Sequence, residues 1–268
     1  MQENIPTPRT VKPDFTLVPR HWLAGNRVAT HIANGVNLLF PEGERFFVRS
    51  VRHYLPTLND PLLQRQVKGF FGQEGKHAST HDDFNHALEQ QGFQLKSFLR
   101  FYRWLAFGVV ERLSPPALRL ATTAASEHFT AILAEGALRE SPIQEYGHPV
   151  MKQLLLWHAA EEIEHKAVAF DVLQRVNPSY ALRMGGLLVA TLCLGGFWLA
   201  ATLTLLRQDK ELGPQAPEAV PLSTLKKHNK LLRKTFVGGL RQYMRRDFHP
   251  NQNDNMSLAR NYLAQAGL

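Results

Sequence analysis

The run His158-Ala-Ala-Glu-Glu-Ile-Glu-His165 gathers imidazoles and carboxylates at helical spacing. At 3.6 residues per turn, His158, Glu162 and His165 fall on one stripe, so three potential metal ligands point the same way. A second Glu-x-x-His stands upstream at Glu74 and His77. Two such motifs on different helices, completed by one glutamate from each of two others, are how a four-helix bundle holds two metal ions. Glu44 and Glu127 offer the single glutamates, giving the chain order Glu44, Glu74 with His77, Glu127, Glu162 with His165.

Alternatives exist at several positions. Glu44 competes with Glu42, which precedes Gly43 and suits the positive end of a helix dipole. Glu127 lies among Ala124, Ala125, Phe129 and Ile132, where an unpaired carboxylate is costly to bury, and that cost favours a ligand role. His158, one turn before Glu162, adds a third imidazole. Oxygen and imidazole donors suit iron or manganese, whereas zinc sites more often recruit cysteine, and Cys193 is the only cysteine. His128 is turned about 100° from Glu127 and reads as a packing or supporting residue. Glu161 and Glu164 flank the ligand stripe as solvated or supporting carboxylates, and His81 either lines the site or serves the core or surface. A competing reading takes His81-Asp82 with His53 and Asp171 as a phosphohydrolase-type set, but it leaves both Glu-x-x-His motifs unexplained.

The elements that must position these groups are helical. Apolar residues recur at helical spacing and no alternating strand run appears, so the fold class is all-α. The spacing predicts helices over about 41–54, 61–91, 94–113, 116–140 and 149–175, each bounded by proline, glycine or asparagine signals. The 94–113 helix is rich in aromatics and offers no ligand, so it reads as packing. Residues 184–206 carry no charge; as a helix these 23 residues span about 34 Å, enough for a hydrocarbon core of about 30 Å. A linker, Gly213-Pro214-Gln-Ala-Pro217, precedes a basic helix over about 222–246, a turn cluster at 248–255 and a short closing helix.

Charge is uneven along the chain. Residues 207–268 hold 11 lysines and arginines against 5 acids, so +6 of the net +8 lies in the tail. Following an apolar segment, Lys226, Lys227, Lys230, Arg233, Lys234, Arg241, Arg245 and Arg246 fit an anionic lipid surface better than nucleic acid. The first 20 residues contain Pro6, Pro8, Pro13 and Pro19 without an apolar stretch, which predicts an extended, flexible arm and no cleaved signal. A single cysteine is compatible with a reducing compartment.

The motifs Pro41-Glu-Gly-Glu-Arg-Phe-Phe47, Gln73-Glu-Gly-Lys-His77, Trp157 through Asp171, and the Phe248-His-Pro250 turn resemble the ferritin-like proteins described as predicted metal-dependent hydrolases. The ligand order, with the extra His158, is also similar to the di-iron arylamine N-oxygenases. These resemblances imply a ferritin-like bundle with a dinuclear metal site held by Glu44, Glu74, His77, Glu127, His158, Glu162 and His165. They imply two metal ions, iron with manganese or mixed manganese and iron as variants, and dioxygen as co-substrate. The expected activity is oxidation or oxygenation of a hydrophobic or amine small molecule. The alternatives are hydrolysis by metal-activated water and a non-catalytic, metal-holding membrane protein. The expected organisation is a flexible arm (1–20), the metal-binding bundle (21–180), an apolar, membrane-associated helix (181–207) and a basic helical C-terminal region (208–268). The expected partners are a small, lipid-like substrate and a membrane surface, without nucleic acid; a homodimer is compatible with the sequence. The expected location is the cytoplasmic side of the cell membrane, or the cytoplasm.

Overall fold

The longest ligand-bearing helix starts where the sequence stops it from starting earlier: Asp60 is extended and its carboxylate accepts from Leu62 N and Leu63 N, with Pro61 in the first turn. In the computed structural model, which describes residues 4–139, 141–209, 220, 233 and 237–268, this helix runs unbroken over Pro61–Gln90. Among the described residues the chain is all-helical, and the only extended pairing is an isolated bridge between Leu23 and Gly147. The helices are α1 (Arg27–Asn37), α2 (Phe40–Arg52), α3 (Pro61–Gln90), α4 (Lys96–Tyr102), α5 (Pro116–Leu138), α6 (Pro142–Tyr146), α7 (Pro149–His165), α8 (Val168–Val176), α9 (Tyr180–Asp209) and α10 (Met256–Ala266).

Helices α2, α3, α5 and α7 enclose the polar centre, with apolar packing on both sides of it. One cluster includes Phe84, Leu88, Phe93, Leu154 and Trp157; the other includes Val51, Phe70, Leu120, Phe129 and Val172. Helix α9 is part of the same packing, lying along α5 and α1. Its Gly186 meets the Ala121 backbone so closely that a Cβ would lie 2.4 Å from it, and Gly35 of α1 leaves the same kind of room for Thr202. At the far end of α9, buried Asp209 is held by His21 (2.9 Å), Arg20 (3.2 Å) and His31 (3.3 Å).

Three elements differ from the periodicity. The aromatic segment is not one α-helix: after α4 it widens into a π-helical stretch over Arg103–Glu111, a form often found beside functional sites. The expected 149–175 helix breaks after His165, where Lys166 leaves the ligand face. Its ammonium donates to Asn253 O (2.5 Å) and Asn255 Oδ1 (2.6 Å), tying the break to the C-terminal turn. Helix α1, not anticipated, is capped by Asn26, whose side chain accepts from Ala29 N. The linker at 213–217 and most of the expected basic helix, including Lys226, Lys227, Lys230 and Lys234, lie outside the described residues; residues 237–243 are helical.

The two kinds of glycine on α9 predict opposite outcomes. Gly186→Ala should lower the thermal midpoint by the equivalent of about 1–3 kcal/mol, because the new methyl meets backbone. Gly195→Ala, with nothing within 4 Å of its Cβ position, should be neutral or raise stability by roughly 0.5–1 kcal/mol. Thermal melts of both variants check this; equal effects would mean that α9 is not clamped to α5.

Candidate metal centre

Helix periodicity brings all seven sequence candidates to one place. Glu44 comes from α2, Glu74 and His77 from α3, Glu127 from α5, and His158, Glu162 and His165 from α7; each is at most 4% exposed. Glu42, the competitor of Glu44, instead accepts a surface bond from Arg45. Glu162 Oε1 sits among three imidazole nitrogens, 2.9 Å from His158 Nε2, 3.4 Å from His165 Nε2 and 3.7 Å from His77 Nδ1. His165 Nε2 also lies 3.1 Å from Glu74 and 3.3 Å from Glu127, and His158 Nε2 lies 3.6 Å from Glu44. Trp157 packs edge-on against His77, Phe70 against His165, and Phe40 against both His158 and His81.

The polar atoms facing inward are short of partners. Both oxygens of Glu44, Glu74 and Glu127, Glu162 Oε2, His77 Nδ1 and His165 Nε2 are buried with no hydrogen bond. Native proteins seldom leave such groups unsatisfied, and an unpaired buried carboxylate costs several kcal/mol, on the order of 3–5 when its partner is removed. The donor set of four carboxylates and three imidazoles, without thiolate, fits hard or borderline divalent cations such as iron or manganese. These orphaned atoms are what a bound metal pair would satisfy.

The outward-facing nitrogens are, by contrast, all engaged, and the surrounding bonds assign each ring its tautomer. Gln73 donates its amide to Glu164 (2.8 Å) and Thr7 O (3.2 Å), so its Oε1 accepts from His165 Nδ1 at 2.8 Å. That turns His165 Nε2 toward the centre, where in the metal-free chain burial opposes charge on the imidazole but Glu162 and Glu127 outweigh it and hold it well above its usual range. His77 donates Nε2–H to Glu161 at 3.0 Å, which frees Nδ1. Asn37 donates to Asn85, so its Oδ1 accepts from His81 Nδ1; His81 Nε2 in turn accepts from His158 Nδ1 at 2.5 Å. His158 therefore directs Nε2 inward, where in the metal-free chain it pairs with Glu162 Oε1 at 2.9 Å. Partners of this kind orient metal-binding histidines and raise their basicity.

Residues 4–9 complete the surroundings. The guanidinium of Arg9 is bidentate to Glu164 (2.7 and 3.0 Å) and reaches Glu161 (3.3 Å), whose Oε1 also accepts from Arg9 N. Gly69 and Gly72 on α3 let Pro6 and Pro8 approach to distances that any Cβ would block. Thus Glu161 and Glu164 are supporting carboxylates held by Arg9, and His81 lies in the relay behind His158. Arg9, Asn37 and Asn85 escaped the sequence reading because nothing local marks them; the Gln73 beside Glu74 was visible only as part of a motif. His128 packs away from the centre, bonded to Gly239 O and stacked on Tyr243. The His81-Asp82 set does not assemble: Asp82 pairs with Arg45, Asp171 with His249, and His53 is exposed.

In the metal-free chain, burial pushes Glu44 and Glu74 well above the carboxylate range, with neighbouring carboxylates adding to the effect. Burial raises Glu127 to about 7 against the pull of His165. Burial also opposes charge on Glu162, but His165 and His158 outweigh it and hold Glu162 well below the usual range. His77 is pushed well down by burial and by His158.

Two apolar cavities end on this cluster. One, of about 90 Å³, reaches Glu44 from the π-helical stretch and α9, past Tyr102, Phe107 and Phe197. The other, of about 260 Å³, reaches His158 and Glu162 between α1, α5 and α7. Phe40 and Thr130 line both.

A family model described as predicted metal-dependent hydrolase matches residues 7–254, which span every residue of the cluster. The chain belongs to that family. Comparison with curated proteins and with solved structures gave no match. The family establishes a metal-dependent enzyme, and the all-helical fold with its histidine and glutamate groupings agrees with it.

Two outcomes follow for solution work. Raised carboxylate values mean that the metal-free protein keeps this stabilising protonation below about pH 5 and loses it as pH rises through about 7 and beyond. Divalent metal should therefore raise the thermal midpoint, and the gap between loaded and metal-free protein should widen from about pH 5 to about pH 8. Arg9→Ala should weaken metal affinity roughly 10–100-fold, since it releases Glu161 and Glu164. Competition titration with a chromophoric chelator measures it, and unchanged affinity would reduce Arg9 to a surface tie.

Proposed function

We propose that Glu44, Glu74, His77, Glu127, His158, Glu162 and His165 hold two metal ions and that this centre oxidises an apolar small molecule with dioxygen. The observation that carries the reading is the ring of unbonded carboxylate oxygens and imidazole nitrogens supplied by four helices. Bound metals would supply either redox chemistry with dioxygen or Lewis-acid activation of water. The chain's own residues do the rest. Glu161, Gln73 and His81 bond the outward nitrogens of His77, His165 and His158 and so aim the inward nitrogens at the centre. Phe40, Phe70 and Trp157 exclude water around the ligands, and the two cavities present apolar walls to the substrate.

Hydrolysis is the second reading, and it is the only activity that the family's description carries. Its requirements are a polarised acyl or phosphoryl group and a proton donor for the leaving group. The larger cavity offers His158, Glu162, Thr130 and Ser141 among mostly apolar residues, and no arginine or lysine lines it among the described residues. The smaller cavity adds Ser114, Arg119, Thr122 and Ser126, so the linings suit a mostly apolar substrate under either reading, and the oxidative one rests on the ligand pattern.

Metal analysis of the purified chain should give two metals, with Glu162→Ala losing at least one. Anaerobic loading with ferrous iron followed by oxygen should produce a metal-dependent absorption change in the wild type alone. If oxygen leaves the spectrum untouched while the loaded protein cleaves ester or phosphoester substrates, the hydrolytic reading replaces the oxidative one.

A further inference from the structure

Helix α9 has two faces with opposite fates. Its inner face is locked to the bundle by Gly186 against Ala121, by Thr202 against Gly35 and by the Asp209 cluster. Its outer face presents Leu188, Leu192, Leu199 and Leu203, between 42% and 66% exposed, and only 22% of its most apolar stretch is buried. These leucines fall at spacings of four, seven and four, so they form one stripe. A helix clamped along one side in this way is not free to cross a bilayer alone, and a core helix would not leave this stripe bare.

The surroundings of the stripe specify what covers it. Arg207 continues it one turn beyond Leu203 and is exposed. Beside it, α4 and the π-helical stretch show Phe101 and Trp104, 48% and 60% exposed, with Phe101 against Phe197 of α9. Exposed Arg100, Arg103 and Arg112 belong to the same segment, and the chain is basic, with +6 of its +8 in residues 207–268. Leucines with interfacial aromatics and arginines match the boundary of an anionic lipid leaflet. The larger cavity reaches α9 at Trp198, the neighbour of Leu199. Ile32, 44% exposed, and Trp198, whose indole donates to Ile32 O at 2.7 Å, line it at one end, and His158 and Glu162 line it at the other.

We infer that α9 seats the protein in the plane of an anionic membrane leaflet and that the cavity beside Trp198 takes a single hydrocarbon chain from that leaflet to the metal centre. At about 260 Å³ the cavity is close to the lower limit of ligand pockets, roughly 300 Å³, which suits one chain and not a bulky ring system. Among the described residues its charged lining lies at the metal end, so an apolar chain enters with its reactive position toward His158 and Glu162. This assignment of direction rests on the proposed metal centre; binding to lipid and to a chain does not.

The test uses the full-length protein, metal-free and metal-loaded. Co-flotation should occur with phosphatidylcholine vesicles containing phosphatidylglycerol, weaken with salt, and fall about tenfold or more in Leu192→Glu and in Leu199→Glu. Leu17→Glu, at an exposed leucine of the N-terminal segment, should leave it unchanged. Displacement of a fluorescent fatty acid should report binding to both metal forms. Ala33→Phe and Ala137→Phe, which fill the cavity from α1 and α5, should reduce that binding about tenfold or more with metal content unchanged. Leu192→Glu should keep fatty-acid binding in solution. Absence of vesicle binding by the wild type, or a dimer that Leu192→Glu dissolves, would overturn the membrane assignment. Fatty-acid binding indifferent to both cavity variants would overturn the chain assignment. Because the metal-free protein is included, a failed metal centre and a failed lipid site give different results.

Discussion

Four carboxylates buried at the junction of four helices are the constraint that organises this protein. With seven of their oxygens lacking a hydrogen bond, Glu44, Glu74, Glu127 and Glu162 make the centre of the bundle a place of large electrostatic cost. Neutralisation by protons or by cations is the only relief available there. The raised values of Glu44, Glu74 and Glu127 show the first route; the inward-facing nitrogens of three histidines suit the second. Helices α2, α3, α5 and α7 must therefore meet at fixed heights, since a shift of one turn on any of them would take a carboxylate or imidazole out of the cluster and leave a buried charge without its neighbours.

The next layer out converts that constraint into orientation. Arg9, Glu161, Glu164 and Gln73 form a polar strap across α3 and α7, and the relay Asn85, Asn37, His81 and His158 does the same on the other side. Each chain of bonds ends on an imidazole proton that points away from the centre. Aromatic rings fill the gaps, so the polar network stays separated from water. The same apolar filling leaves two narrow cavities, and α9 forms a wall of the one that reaches Glu44.

Legibility in the sequence followed the range of the forces involved. The two Glu-x-x-His motifs and His158 could be read because ligands on one helix repeat at three and four residues, a local rule. Glu127 could be read because a carboxylate in an alanine-rich run is anomalous by itself. Arg9 could not be, since 152 residues separate it from Glu161 and an arginine in a proline-rich segment looks solvated. The π-helical stretch at Arg103–Glu111 and the break after His165 were equally hidden, because packing and the pull of Asn253 and Asn255 on Lys166 override a periodicity that alone predicts continuous helix.

The sequence by itself determined the helical class, the spacing of metal-type side chains and the existence of one long uncharged helix. These are consequences of local geometry and composition. Only the tertiary structure decided which nitrogen of each histidine faces inward, that residues 4–9 lie against the site, and that α9 is clamped on one face and bare on the other. Those outcomes depend on contacts between residues far apart in the chain, where close packing, not periodicity, selects the partner.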